Sequence, residues 1–435
     1  MRYLSRIFQP VITIPKNAKI KNTEITCKSQ KLLLECGLVR PTTSGFFTLL
    51  PLARRALDKL ENLIKTCIES SGAQRLSLPA LTSAGLWAKT GRLENAAAEL
   101  LTLEDRHNKK YLLAPTYEEA IAELLSDLKP ISYKQLPIIL YQISNKYRDE
   151  LRPKHGLLRA REFSMLDAYG AHASSDCALQ VYGRMATAYE HLFRALHLKV
   201  HKVEAPSGDM GGSFSHEWQL AATSGEDQIK VCPSCSHAAL LNDEGTRCQS
   251  CGKDAEILQS IEVGHTFILG TKYSEALEAT YCPPSGPPLP IIMSCYGIGI
   301  TRLLAASLEA LSTEKALRWP KAIAPYSAII IGPKEGSKEW NDHGMDQVKL
   351  VYDALNSVPA LRSDVLVDDR HGLTIGKRLL MADKMGYPIV IACGKESSSN
   401  PPRYEVTIDG ATQLCTAQEL VQILSDKYAH LEYCT

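Results

Sequence analysis

The segment 147–169, YRDELRPKHGLLRAREFSMLDAY, sets four arginines, a lysine and a histidine among two aspartates and two glutamates. Leu158, Ala160, Phe163 and Met165 stand between the charges. Two strands joined by LRPKHG would explain the pattern. Alternate side chains of a strand share a face. Gln142, Lys146, Arg148 and Glu150 then share one face of the first strand. Arg159, Arg161, Phe163, Met165, Asp167 and Tyr169 share one face of the second. Guanidinium forks grip phosphate or carboxylate in two-point fashion, and an aromatic plane beside them can stack a base. The set suits a nucleotide whose phosphate is under attack. An exposed hairpin laced with salt bridges is the competing reading.

The stretch YGIGITRLLAA tilts the balance. Gly297 and Gly299 follow an apolar run and would let the backbone approach a ligand closely, with Arg302 opening the helix behind them. A packed strand–helix turn alone could use the same glycines. Their joint occurrence with the arginine-rich hairpin is the specific signal. A third motif is metal-like. Cys232, Cys235, Cys248 and Cys251 fall as C-x2-C-x12-C-x2-C, a spacing that closes into a tetrahedral thiolate cage for Zn²⁺. A remnant loop with reduced thiols is the alternative.

The chain that must position these groups has 435 residues, enough for two or three domains, and its 45% apolar content can bury a large core. A net charge of +1 excludes reading a nucleic-acid partner from overall charge, so any basic surface is local. Thirteen cysteines without a secretory signal point to a reducing compartment. No apolar run is long enough to span a bilayer, so no membrane partner is expected. Residues 1–24 carry Arg2, Arg6, Lys16, Lys19 and Lys21 and no acid before Glu24, which suits a mitochondrial presequence. A frayed basic tail has the same composition. Pro10 and Pro15 confine any helix there to the first ten residues.

Helical spacing is read at 29–37, and at 51–71, where Leu52, Ala56, Leu60, Leu63, Ile64 and Cys67 keep period. QRLSLPAL alternates as a strand to Pro79. A strand end, turn and helix follow in YLLAPTYEEAIAELLSDL, then the two arginine-rich strands, an amphipathic helix from Ala178, the strand IEVGHTFILG, and an apolar strand leading into YGIG. After RWPKAIAP the text alternates β and α to the end, a small domain with its own core.

At this point the chain resembles the class II aminoacyl-tRNA synthetases, and among them the prolyl-tRNA synthetases of the bacterial and mitochondrial type. The helix ending in LSLPAL resembles motif 1 with its proline, Pro79; YRDE…LLRAREF resembles motif 2; GIGITR resembles motif 3. LAPTYEEA, EVGHTFILGTKYSEAL and MSCYGIG are similar to segments that set proline specificity, and VLVDDRHGLTIGKRL with GYP is similar to the anticodon-binding domain. The resemblance implies an α/β multidomain fold: a class II antiparallel sheet with helices over 25–322, a short four-cysteine, zinc-ribbon-like insertion at 226–260, and an α/β anticodon-binding domain at 325–435. It implies ATP-dependent ligation of L-proline to tRNA(Pro) through a prolyl adenylate, with ATP and Mg²⁺, a homodimer with Pro79 near the two-fold axis, and residence in the mitochondrial matrix.

It also implies roles. Arg148 would hold the proline carboxylate and the ATP α-phosphate. Glu150 would contact the adenine end, and Phe163 would stack on adenine with Arg302 opposite. Thr116 and Glu118 would orient the prolyl imino group, with His265 and Cys295 near the ring. Arg152 would touch the acceptor stem. Met165, Asp167 and Tyr169 occupy positions where archaeal-type relatives carry a different trio. Residues 374–380 depart from the bacterial wording, so no anticodon contacts are assigned there. The insertion is too short for the large editing domain of bacterial members. A class II fold kept only as a tRNA-binding or polymerase-accessory subunit is the main rival. It would have lost the motif arginines, yet Arg148 and Arg302 both stand.

Overall fold

The computed structural model describes residues 1–10, 25–128, 130–241 and 246–429. Its centre is a nine-stranded sheet among the described residues. The order across it is Val200–Glu204, Phe214–Ala221, Glu256–Gly270, Ile292–Gly299, Glu162–His172, Ile138–Tyr147 and Gln74–Arg75. All these pairings are antiparallel except the last. Strands Asp227–Val231 and Ala238–Leu240 extend it at one side.

Strand alternation sorts the side chains between two layers. Leu166, Ala168, Tyr296 and Ile298 face the helices Pro51–Glu69, Ser175–Ala195 and Ile300–Leu311 and join their core. Tyr169, Ala171, Met293 and Cys295 face the other way, toward a second apolar cluster built by residues 86–131. That second face carries the site. The helix Pro51–Glu69 forms because Leu52, Ala56, Leu57, Leu60 and Ile64 recur on one stripe, all of it buried, and Pro51 occupies its first turn.

The C-terminal region holds a separate five-stranded sheet, ordered Val365–Asp368, Ala328–Ile331, Ile389–Ala392, Tyr404–Ile408 and Ala411–Cys415. The first three are parallel and the last two antiparallel. One of its helices is Ile375–Met385, capped by the Thr374 side chain and ended by Gly386 at φ 72°. Asp364 ties this domain to the first. It accepts from Arg55 and Lys59, each at 2.7 Å.

Three local readings change. QRLSLPAL pairs over only Gln74–Arg75, and the chain then turns away, leaving Pro79 exposed. The strand ladder of the hairpin ends at Tyr147 opposite Glu162. Arg148 to Arg161 therefore lie outside it. Arg148 N still donates to Arg161 O at 2.9 Å, but Arg161 N donates to Gly45 O at 2.8 Å, so the backbone leaves the ladder for a neighbouring hairpin. Residues 1–10 are not a free tail. Tyr3 bridges Val367, Leu4 is buried, and Ser5 N donates to Asp369 Oδ1 at 2.9 Å. The rest of the expected presequence, 11–24, lies outside the described residues.

Candidate active site

One cleft of about 360 Å³ opens on the second face of the sheet. Thr116, Glu118, Arg148, Phe163, His265, Cys295 and Arg302 all line it, although they span nearly two hundred positions of sequence. Three strands deliver Phe163, His265 and Cys295, two helices carry Glu118 and Arg302, and Thr116 and Arg148 stand just outside regular elements. Glu150 and Arg152 are not in its lining. Glu150 accepts from Arg159 Nε at 2.8 Å, and Arg152 is exposed on the connection between the strands. Arg159 and Arg161 are also outside the lining. Arg159 pairs with Glu150 and Glu226, and Arg161 with Asp149. Of the face read on the second strand, Phe163, Met165, Asp167 and Tyr169 reach the cleft.

The arginine end is electropositive. Arg148 sits over the Phe163 ring, 5.3 Å from its centroid. Burial and then the nearby Arg302 charge push its pKa down from the usual arginine value. Glu262, 3.8 Å from Arg302, and the charges of Glu99 and Glu150 offset the two cations in part. Arg302 is aimed by its own bond, Nε to Leu158 O at 2.8 Å. A Cβ at Gly297 would meet only Met165 Cε, the free end of a flexible side chain, closer than 3.0 Å, at 2.6 Å. Neither Gly297 nor Gly299 takes a positive φ. They end a strand rather than form a loop, and the helix Ile300–Leu311 begins at once.

The opposite end is acidic and buried. Thr116 Oγ1 donates to both oxygens of Glu118, at 2.8 and 2.7 Å. Tyr117 N donates to Tyr169 Oη at 2.9 Å, and Tyr169 donates to Asp167 Oδ2 at 2.8 Å. Asp167 is ion-paired with Lys146, whose side chain is fully buried, and Gln142 donates to it at 3.2 Å. Burial pushes the Asp167 carboxyl up and the Lys146 ammonium down, and each partner opposes that push on the other. Burial likewise keeps the Cys295 thiol neutral, with Glu118 next to it.

His265 stacks on Phe267 with ring centroids 3.9 Å apart and reaches Glu262 Oε1 at 3.2 Å. Burial opposes the Glu262 charge, but the His265 bond and the Arg302 and Arg148 charges outweigh it and hold the carboxyl below its ordinary value. Glu217, Glu262 and His265 bring ligand atoms within 4.8 Å of one another. The two carboxylates are suitable oxygen donors for a hard divalent cation.

Sequence reasoning missed Arg92, Trp87 and Glu262 in this lining. Glu262 stood in EVGHTF without a role, and Arg92 lies in a four-residue helix with no periodic signal. The adjacent acids Glu118 and Glu119 were the available clue, since two buried carboxylates demand a cation.

Away from the cleft, the four cysteines do converge. Cys232 and Cys251 sulfurs are 3.5 Å apart, Cys235 and Cys248 3.6 Å, and all four lie within 4.8 Å of one another. Tetrahedral Zn–S bonds of about 2.3 Å place sulfurs about 3.8 Å apart. Each knuckle turns through a left-handed residue, Ser236 at φ 60° and Gly252 at φ 72°. Ser236 N donates to Cys232 O and Gly252 N to Cys248 O, both at 2.9 Å. The donor set and spacing fit zinc.

Residues 101–311 match the family model of the tRNA synthetase class II core domain (G, H, P, S and T). A mouse protein named probable proline–tRNA ligase, mitochondrial, is 44% identical over 93% of this chain and 86% of its own length. The human protein of the same name is 43% identical over 96% of this chain and 91% of its own. This chain belongs to the class II proline–tRNA ligases. A bacterial proline–tRNA ligase from Sulfurimonas denitrificans is 35% identical over 90% of the chain and 92% of its own length. The fold of this ligase is shared by solved prolyl-tRNA synthetases. That of Giardia lamblia, in complex with prolyl-adenylate, superposes with a TM-score of 0.76 at 20% identity, covering 91% of this chain and 76% of that one. Among the described residues, no helix is long and apolar enough to cross a membrane.

Proposed function

We propose that this chain joins L-proline to tRNA(Pro) through a prolyl adenylate, in mitochondria, with the chemistry in the 360 Å³ cleft. The observation that carries the reading is the polarity of that cleft. Arg148 and Arg302 gather at one end, and a buried carboxylate held by a hydroxyl and by Arg92 stands at the other. A zwitterionic amino acid fits between them with its carboxylate toward Arg148 and its ammonium toward Glu118.

Arg148 holds the proline carboxylate against the α-phosphate of ATP. Phe163 stacks the adenine from one side, with Arg302 opposite. The carboxylate oxygen attacks the α-phosphorus in line, its P–O bond forms, and pyrophosphate leaves with the electrons of the broken bond. Negative charge grows on the phosphoryl oxygens. Fixed guanidinium groups stabilise that charge more than the ground state and need no reorganisation. Thr116 and Glu118 fix the imino nitrogen, and His265 and Cys295 bound the ring. No protein nucleophile is required, because positioning supplies much of the rate. Glu217 and Glu262 would hold a magnesium ion, which supplies charge neutralisation at the phosphates. The 3′-terminal ribose of the tRNA then attacks the mixed anhydride and releases AMP. Glu150 and Arg152, on the connection outside the cleft, are assigned to the adenine end and the acceptor stem.

Residues 25–322 form the catalytic domain, 226–260 a structural Zn²⁺ insertion on Cys232, Cys235, Cys248 and Cys251, and 325–435 the anticodon-binding domain. A homodimer with the exposed Pro79 near its two-fold axis belongs to the same reading. The acid-poor first 24 residues and the mitochondrial names of the relatives support import into the matrix. The test is proline-dependent ATP–pyrophosphate exchange by the purified chain. Exchange that proline does not stimulate would refute the reading.

A further inference from the structure

Glu118 and Glu119 are neighbours at the start of the helix Glu118–Asp127, and they are 1% and 0% exposed. Only Glu118 lines the cleft; Glu119 stands behind it. Two adjacent carboxylates in so dry a place repel each other and lose hydration. One cation answers both. Arg92, 5% exposed, donates from Nη1 to Glu118 Oε2 at 3.3 Å and to the Glu119 oxygens at 3.1 and 3.2 Å. Its plane lies over Trp87, 4.4 Å from the ring centroid, and Nη2 meets Met210 Sδ at 3.3 Å. Its Nε is buried without a partner.

The charge count is the point. Glu118 and Glu119 contribute two negative charges and Arg92 one positive. Of the other charges near this group, Lys146 is balanced by Asp167 and Lys272 by Asp209. The bonding is uneven as well. Glu119 takes two bonds from Arg92 and one from Thr90 at 2.9 Å, whereas Glu118 takes one from Arg92, the longest of Arg92's three, beside those from Thr116. Arg92 thus spends most of its charge on the rear carboxylate. Glu118 keeps its own for the cleft, held by Thr116.

We infer that Arg92 and Glu119 are a charge-balancing pair that positions Glu118 and leaves that end of the cleft one net negative charge, matched to the secondary ammonium of proline. Neither residue need touch the substrate. The proposal rests on the reading that Glu118 receives the imino nitrogen, and it adds what sets the charge there.

The test is a double-variant cycle on proline KM, with ATP KM and the thermal midpoint measured alongside. Glu119→Gln keeps shape and removes a charge, so Arg92 turns to Glu118 and the net charge becomes zero. Proline KM should rise tenfold or more, with ATP KM within about twofold. Arg92→Met leaves two unpaired acids and should raise proline KM by a similar factor. Combining them restores a single negative charge on Glu118. The double variant should therefore have a lower proline KM than either single, within a few-fold of the parent. A purely structural pair would give a double variant at least as impaired as the worse single, and that result overturns the proposal. If Arg92→Met does not fold, Glu119→Gln decides alone, and an unchanged proline KM there overturns it. Glu118→Gln separates the two levels. An unchanged proline KM in that variant removes the underlying reading and this proposal with it. A raised KM there, with no rescue in the cycle, removes only this proposal.

Discussion

Lys146→Met is the most informative perturbation of the cleft wall. Lys146 is fully buried, donates to Ser144 Oγ at 2.7 Å and pairs with Asp167. Methionine keeps the length and removes the charge. Asp167 is then a buried carboxylate with only Tyr169 and Gln142 as donors, at 2.8 and 3.2 Å. Breaking a buried pair from one side costs about 3–5 kcal/mol. Protonation sets a ceiling. Neutralising a carboxyl of ordinary pKa near 3.9 at pH 7 costs about 1.4 kcal/mol for each of roughly three pH units, or about 4 kcal/mol. The two remaining donors reduce this, so a loss of about 2–4 kcal/mol is expected at pH 7.

The sign with pH follows. Burial already raises the Asp167 pKa, and loss of Lys146 raises it further. Above the unfolded pKa and below the folded one, the folded chain holds a proton that the unfolded chain does not. Stability then falls as pH rises, by about 1.4 kcal/mol per unit. The deficit of the variant against its parent should therefore shrink between pH 7 and pH 5, by up to about 2.7 kcal/mol. Urea unfolding of both proteins at the two pH values measures it. Proline KM should also rise, because Tyr169 anchors Tyr117 N beside Thr116. Lys146→Met/Asp167→Asn removes the stranded charge and should recover most of the stability. A Lys146→Met deficit that is independent of pH, or absent at pH 7, would refute the account of this pair.

Arg148→Ala should lower proline-dependent exchange by a factor of about 10² or more with the fold intact, since it removes charge-assisted contacts made to the transition state; near-normal exchange contradicts the motif 2 assignment. Metal analysis should return about one zinc per chain, and Cys232→Ser/Cys235→Ser should lose it, because a four-thiolate site needs its ligands; a metal-free chain of unchanged stability would make the cluster a vestige. Pre-made alanyl-tRNA(Pro) should not be deacylated faster with the enzyme than without it. Two missing methylenes give discrimination of only about 10²–10⁴, and the resemblance to editing-deficient members implies no second hydrolytic site here; enzyme-dependent clearance would reveal one. Deleting residues 2–9 removes the Tyr3 bridge to Val367, the buried Leu4 and the Ser5–Asp369 bonds, so the C-terminal domain should melt earlier. N-terminal sequencing of the mitochondrial protein decides between this strap and a cleaved presequence, for a cut inside 11–24 would discard it.

The order and type of the main elements were legible in the sequence. The helix Pro51–Glu69, the helix Ile375–Met385 and the strands around Arg148 and Cys295 are set by local period and by capping residues, which act within a few positions. The metal motif was legible for the same reason, since each C-x2-C pair closes its own turn. What alternation could not give was where a ladder stops. Arg159 and Arg161 fit the strand period, yet the ladder ends at Tyr147 and Glu162, because Arg161 N finds Gly45 and Arg159 finds Glu150 and Glu226. Those partners lie far away in sequence or across the connection.

Charge balance belongs wholly to the tertiary structure. The sequence determined that Glu118 and Glu119 sit side by side and that a helix starts there. It could not determine that Arg92, 26 and 27 positions earlier, would be the cation between them. Nor could it determine that Lys146 and Asp167 would close on each other in the dry wall behind the cleft. Local pattern follows from bonds a few residues long. The state of a buried charge depends on every group within several ångströms, and only the folded chain decides which groups those are.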